Sequence, residues 1–265
     1  MRKGVFAMRL MRSGNRRRTE KRKLPAVCGV LIAAAAVFML LYSPRVVGAS
    51  ATERQLPVYC VQRDGKYVSL TFDAAWGNED TQQLIDILGQ YGVKATFFVV
   101  GDWAEKYPES VLALSEAGHE VMNHSNHHDH FNALSTDEII ADVSACCDRV
   151  ETVTGVRPTL FRCPYGEYDD HVIAAVRSLG ITPVQWDVDS LDWKDYDAQT
   201  IYARVTQRVQ PGSIVLFHNA AKHTPEALGD IIGALLREGY TILPVSELLL
   251  TGESRIDHTG RQLPK

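Results

Sequence analysis

Five short polar signatures each close an apolar run: Thr71-Phe72-Asp73, His124-Ser125-Asn126-His127-His128, Arg162-Cys163-Pro164-Tyr165, Asp189-Ser190-Leu191-Asp192-Trp193 and Leu216-Phe217-His218. Asp73 ends Val68–Phe72, where a carboxylate is costly unless paired or working, and it reads as a general base. Its other ordinary job is to cap a helix, and Asn78 is the closer candidate for that. His124 and His128 are four apart, a spacing that shares one face if the segment turns helically and then suits a cation. Arg162 precedes Pro164, which holds Cys163 extended, so this elbow can aim a guanidinium sideways. Asp192-Trp193 sets a carboxylate beside a flat ring, read either as a packing lid or as a wall for a sugar. His218 closes Ile214–Phe217 and is suited to pass a proton near neutral pH. Together these are the parts of an acid–base hydrolytic site.

Strand-like runs and amphipathic windows alternate behind these residues. Strands are expected at Tyr67–Asp73, Ala95–Val100, Glu120–Asn123, Thr159–Arg162, Ile181–Val188, Ser213–Phe217 and Thr241–Val245. Helices are expected at Glu79–Tyr91, Pro108–Ala117, Thr136–Thr154, Asp169–Leu179, Ala198–Val209 and Thr224–Glu238. Gly92, Gly118, Gly155, Gly180 and Gly239 fall where helices should end. Repeated strand–helix units imply a parallel sheet with covered faces. No Gly-rich phosphate loop follows the first strand, which weakens an open nucleotide-binding sheet. Polar residues at many strand ends favour an α/β class fold closed as a TIM-like (β/α) barrel of about seven strand–helix units.

The 265 residues, 45% hydrophobic, suffice for one core, and the net charge of −4 hides an asymmetry. Arg16, Arg17, Arg18, Lys21, Arg22 and Lys23 belong to a basic block that runs straight into charge-free Leu24–Tyr42. That context reads as membrane orientation and not as a nucleic-acid arm. The expected layout is a cytoplasmic segment at 1–23, a transmembrane signal anchor at 24–42, a linker at 43–66, a catalytic domain at 67–250 and a polar tail at 251–265. A cleaved signal peptide is the other reading, with Val47-Gly48-Ala49-Ser50-Ala51 offering cleavage after Ala49 or Ala51. Either reading exports the domain. Cys60, Cys146, Cys147 and Cys163 form no obvious disulfide framework and read as small buried hydrophobes.

The order of the motifs resembles the polysaccharide deacetylases, the NodB-homology domain of carbohydrate esterase family 4, from about Tyr67 to Leu250. The resemblance implies a distorted seven-stranded (β/α) barrel and the removal of acetyl groups from a cell-wall glycan such as peptidoglycan, with a divalent metal (zinc, cobalt or nickel). It makes Asp73 the base, oriented by Arg162, and His124 and His128 the metal ligands. Tyr165 would offer its backbone amide to the oxyanion, and Trp193 and Leu216 would shape the acetyl pocket. His218, tuned by Asp192, would protonate the leaving amine. The family's opening motif has a second aspartate that ligates the metal, and that place is Ala74 here. The stretch Ala74–Glu79 resembles a branch linked to sporulation and cell-wall modification. Glu79 or Asp80 could complete the metal. The alternative is a glycan-binding protein whose chemistry lapsed with the Ala74 ligand.

Overall fold

A computed structural model describes residues 54–265. The Leu24–Tyr42 run lies outside the described residues, and among those described no helix is long and apolar enough to cross a membrane. The described chain is an α/β fold built on a curled mixed sheet. Its strands are β1 (Cys60–Val61), β2 (Tyr67–Ala74), β3 (Thr96–Val99), β4 (Glu120–Asn123), β5 (Leu160–Phe161), β6 (Thr182–Pro183), β7 (Val188–Asp189), β8 (Ser213–His218), β9 (Thr241–Ile242), β10 (Ser254–Ile256) and β11 (Arg261–Pro264). Its helices are α1 (Thr81–Gln90), α2 (Gly101–Lys106), α3 (Pro108–Glu116), α4 (Thr136–Thr154), α5 (Asp170–Ser178), α6 (Ala198–Thr206), α7 (Thr224–Arg237) and α8 (Val245–Leu248).

Strands β8, β2, β3, β4, β5 and β6 run parallel in that order. The period-2 geometry of β2 sorts its residues. Leu70, Phe72 and Ala74 pack with Leu84 and Leu88 of α1 and with Leu228, Ile231 and Ile232 of α7. Phe72 stacks between Phe97 and Phe217, with ring centroids 4.8 and 5.3 Å away. Ser69, Thr71 and Asp73 alternate with these on the opposite face, where Ser69 and Thr71 donate to the carbonyls of Leu243 and Val215. A second apolar cluster, including Phe98 of β3, Met122 of β4, Leu160 of β5 and Ile214 of β8, joins residues from several strands.

Helix α4 starts where Ser135 and Glu138 satisfy each other's backbone donors in a capping box, and ends at Gly155 in the left-handed region. Asn78 does not cap α1: Asp80 holds that position without a side-chain cap, and the Asn78 amide donates to Ser110. The expected strand Ile181–Val188 is two short pieces, because its backbone changes partners. Pro183 pairs with β5, the Gln185 amide donates to the Val58 carbonyl, and Val188 pairs with β8. This one segment therefore touches both ends of the parallel run and imposes the curl. The polar tail at 251–265 contains a hairpin, in which β10 pairs with β11 and β11 extends β1. The described cysteines are free and buried, as expected.

Strand β1 meets β8 at a tight crossing. The Val61 amide donates to the Gly212 carbonyl, and a Cβ on Gly212, where φ is +86°, would lie 1.7 Å from the Val61 carbonyl oxygen. Gly212→Ala is therefore expected to cost roughly 3 kcal/mol, read as a melting temperature lower by about 6–12 °C. An unchanged melting temperature would show that the crossing gives way.

Candidate active site

Asp73 and His218 are register partners at the ends of β2 and β8. They border a cavity of about 410 Å³ that is also lined by Ala75, Trp76, His124, His128, Tyr165, Gly166, Trp186, Asp189, Trp193 and Leu216. Its centre is a buried ion pair. Arg162, with no solvent exposure, donates from Nη1 to Asp73 Oδ1 at 2.7 Å and to Thr71 Oγ1 at 2.8 Å, and from Nη2 to the Gln185 carbonyl at 3.1 Å. Its guanidinium lies 4.1 Å from the Phe98 ring centroid and 5.5 Å from that of Trp186. Burial opposes ionisation of Asp73, but Arg162, His124 and His218 together hold its carboxyl below the usual range. Asp73 is thus an anion with one oxygen committed to Arg162.

Its other oxygen, Oδ2, faces His124 Nε2 at 3.4 Å. His124 Nδ1 lies 2.8 Å from the Arg162 carbonyl, an atom that only accepts, so Nδ1 carries the hydrogen and Nε2 the lone pair of the neutral ring. Burial lowers the His124 pKa, with the Asp73 charge opposing, and burial also pushes His128 down to about 4. The two rings meet edge to face with centroids 5.0 Å apart. The segment does not turn helically to achieve this. Asn123 and Ser125 shape the loop instead: Asn123 Oδ1 accepts from the Ser125 amide, and Ser125 Oγ from the His128 amide. Ser125 and His128 both take positive φ, at 72° and 58°.

The second dyad is His218 with Asp192. Asp192 is fully buried; its Oδ1 accepts from His218 Nδ1 at 2.7 Å, and its Oδ2 from the His218 amide and the Thr224 hydroxyl. Burial works against the imidazolium, yet the Asp192 hydrogen bond and charge outweigh it, and the His218 pKa is raised. Tyr165 sits at φ 58° with its ring exposed and stacked 4.3 Å from His130. Trp193 is 57% exposed at the cavity wall, and Leu216 is buried at its floor. Asp73, His124, His128, Tyr165, Trp193, Leu216 and His218 therefore line one cavity, and Arg162 and Asp192 are buried against two of them, Asp73 and His218. His223, just beyond β8, pairs with Glu226 and is not among the cavity residues. The sequence assigns no role to Thr71, Trp186 or Asn123, which the structure brings to the site. Asn123 alone carried a signal, as a polar residue ending an apolar strand beside His124.

A family model for polysaccharide deacetylases matches residues 61–184. The chain is 30% identical over 211 residues to the peptidoglycan-N-acetylmuramic acid deacetylase PdaA of Bacillus subtilis, covering 78% of this chain and 80% of that one. The chain belongs to the polysaccharide deacetylase family. It is also 35% identical over 188 residues to the peptidoglycan-N-acetylmuramic acid deacetylase PdaC of Bacillus subtilis, covering 71% of this chain and 40% of that longer relative. Among solved structures it is similar to a CE4 family pseudoenzyme from Bacillus anthracis, with a TM-score of 0.70, 33% identity and coverage of 72% of this chain and 68% of that one.

The metal expected of this family finds a short donor set. Two neutral imidazoles adjoin, and His128 Nδ1 is buried with no hydrogen-bond partner among the described residues. Yet among the described residues no three His, Cys, Asp or Glu side chains are grouped to hold an ion. Ala74 packs in the apolar cluster, and the residue that borders the cavity is Ala75. Glu79 and Asp80 do not complete the set: neither lines the cavity, and Asp80 Oδ2 accepts from the Ala220 amide. These residues do not fit a catalytic zinc held by three protein ligands.

Breaking the central ion pair isolates a buried charge. Arg162→Met is expected to cost about 3–5 kcal/mol in denaturant unfolding, and adding Asp73→Asn should recover part of the loss. Simple additivity of the two changes would show that the pair is not coupled.

Proposed function

We propose that the protein is a hydrolase that removes acetyl groups from an N-acetylated cell-wall polysaccharide, peptidoglycan in particular. The observation that supports this most is the presence of two oppositely tuned groups at one cavity, the anionic Asp73 and a His218 biased towards its protonated form. A binding surface needs neither. Asp73 Oδ2 takes a proton from water as that water attacks the acetamide carbon. In this reading the Tyr165 amide donates to the tetrahedral oxyanion, and Trp193 and Leu216 enclose the methyl group. His218 Nδ1 is tied to Asp192, so Nε2 delivers the proton that lets the amine depart.

The same reading covers the setting of the domain. We take the curled sheet as the distorted seven-stranded barrel, with β6 and β7 as two ends of one strand. The basic block followed by Leu24–Tyr42 supports a membrane anchor that leaves residues 67–250 outside the cytoplasm. A second reading, a glycan-binding protein without turnover, is favoured by the two-histidine donor set and by the likeness to a pseudoenzyme.

Acetate release by the full-length protein from N-acetylated peptidoglycan and chitooligosaccharides tests the proposal. Release is expected, with Asp73→Asn and His218→Ala each lowering kcat by about 10²–10⁴-fold while glycan binding persists. A chelator arm followed by zinc, cobalt or nickel reports whether the histidine pair takes part. No release under any of these conditions, with glycan still bound, decides for the binding protein.

The pH profile provides an independent check. A raised His218 pKa keeps the acid protonated above the ordinary histidine range, so kcat should hold through pH 6.5 and fall only as pH rises through the raised value. The linked stability of the His218–Asp192 pair has the same sign, full at low pH and lost on the alkaline side. Asp192→Asn removes the charge that raises the pKa and should move this limb to lower pH. A limb that stays in place would take His218 out of the acid role.

A further inference from the structure

Trp76 is 65% exposed, the most exposed of the large hydrophobic side chains among the described residues. Its backbone is nevertheless fixed. The Ala75 amide donates to Asn219 Oδ1 at 3.2 Å, the Asn219 side-chain amide donates to the Trp76 and Gly77 carbonyls, and Trp103 Nε1 donates to the Gly77 carbonyl at 2.9 Å. Asn219 and Trp103 are themselves buried. A pinned loop thus presents an indole to solvent, with its centroid 5.9 Å from that of His128. Ala75 and Trp76 wall not only the catalytic cavity but also an adjoining groove of about 250 Å³, bounded by Gly77, Asp102, Trp103, Lys106 and Tyr107. The charges in that groove are unequal. Asp102 is engaged by Arg149 at 2.6 Å and His127 at 2.8 Å. Lys106, its ammonium 4.9 Å from the Tyr107 ring centroid, has no ion-pair partner among the described residues.

We infer that Trp76 and Lys106 form a second sugar subsite, which takes the unit next to the one in the cavity and favours a unit carrying a carboxylate. The inference rests on the glycan reading above and deepens it. A pyranose offers a face of C–H groups that packs flat on an indole, and a fixed ring loses little freedom when it does so. The groove and the cavity adjoin across Ala75 and Trp76, so that one glycan strand crossing the indole reaches both. An exposed ammonium without an ion-pair partner among the described residues adds selectivity for an anionic sugar, such as one bearing a lactyl ether carboxylate, over a neutral one.

Calorimetric binding of the full-length protein to chitotetraose and to a peptide-free peptidoglycan tetrasaccharide with free lactyl carboxylates tests this without turnover. Trp76→Ala should weaken both glycans about tenfold, and Trp76→Phe should restore most of the affinity. Lys106→Gln should weaken only the carboxylated glycan, by about two- to fivefold, with the difference fading at about 0.5 M salt. Unchanged binding in Trp76→Ala, equal effects of Lys106→Gln on both glycans, or a parent that binds neither would overturn the subsite. Acetate release by a parent whose Trp76→Ala variant binds normally would sink the subsite alone; normal subsite behaviour without release would sink only the deacetylase.

Discussion

The burial of Arg162 is the constraint on which the rest of the site depends. A guanidinium with no solvent exposure has lost its hydration, and a cost of several kcal/mol follows unless charge and hydrogen bonds offset it. Asp73, Thr71 and the Gln185 carbonyl provide that offset, and Phe98 and Trp186 cover its faces. The same contacts fix Asp73 by one oxygen and leave the other free. The Arg162 backbone carbonyl in turn sets the tautomer of His124. One side chain therefore does most to keep Asp73 charged, and its own backbone determines which nitrogen of the neighbouring ring is available.

Around this pair the loops adopt conformations that L-residues ordinarily avoid. Ser125, His128, Tyr165 and Leu191 all have positive φ, and His128 and Tyr165 line the cavity. Each such residue costs of order 1–3 kcal/mol and persists only where its surroundings hold it. Asn123 does this for the histidine loop, since its side-chain amide donates to the Val143 carbonyl while its oxygen accepts from Ser125. The Asp189 carboxylate accepts from the Leu191 amide in a comparable way. Strain of this kind, gathered on the loops of one cavity, is what a pre-organised reaction centre requires.

The acid–base machinery and the metal machinery have separate fates in this chain. Asp73–Arg162 and His218–Asp192 are hydrogen-bonded dyads, with Asp73 and His218 opposite each other on adjacent strands. The metal half is reduced to two neutral imidazoles, and Ala74, at the place expected of a third donor, packs in the apolar cluster away from the cavity lining. The chain thus lies between two kinds of relative: peptidoglycan deacetylases with 30–35% identity, and a pseudoenzyme whose fold is matched at a TM-score of 0.70.

Much of this was legible in the residues. Strong period-2 and period-3.6 patterns placed β2, β4, α4 and α7 within a residue or so, because buried faces tolerate little drift in register. The segment 181–188 and the hairpin 254–264 were not legible, since both are specified by distant partners, Val58 and β1, and not by their own periodicity. Within the site, the sequence by itself determined which chemical groups stand at the strand ends and the alternation that puts Asp73 and His218 opposite the apolar face. Only the tertiary structure decided that Ala75 borders the cavity, that two histidines meet through left-handed loop residues instead of a helical turn, and that Trp76 faces a groove. Those are consequences of loop backbones held by side chains far away in sequence, such as Asn219 at Ala75–Gly77, and a local pattern contains no record of such contacts.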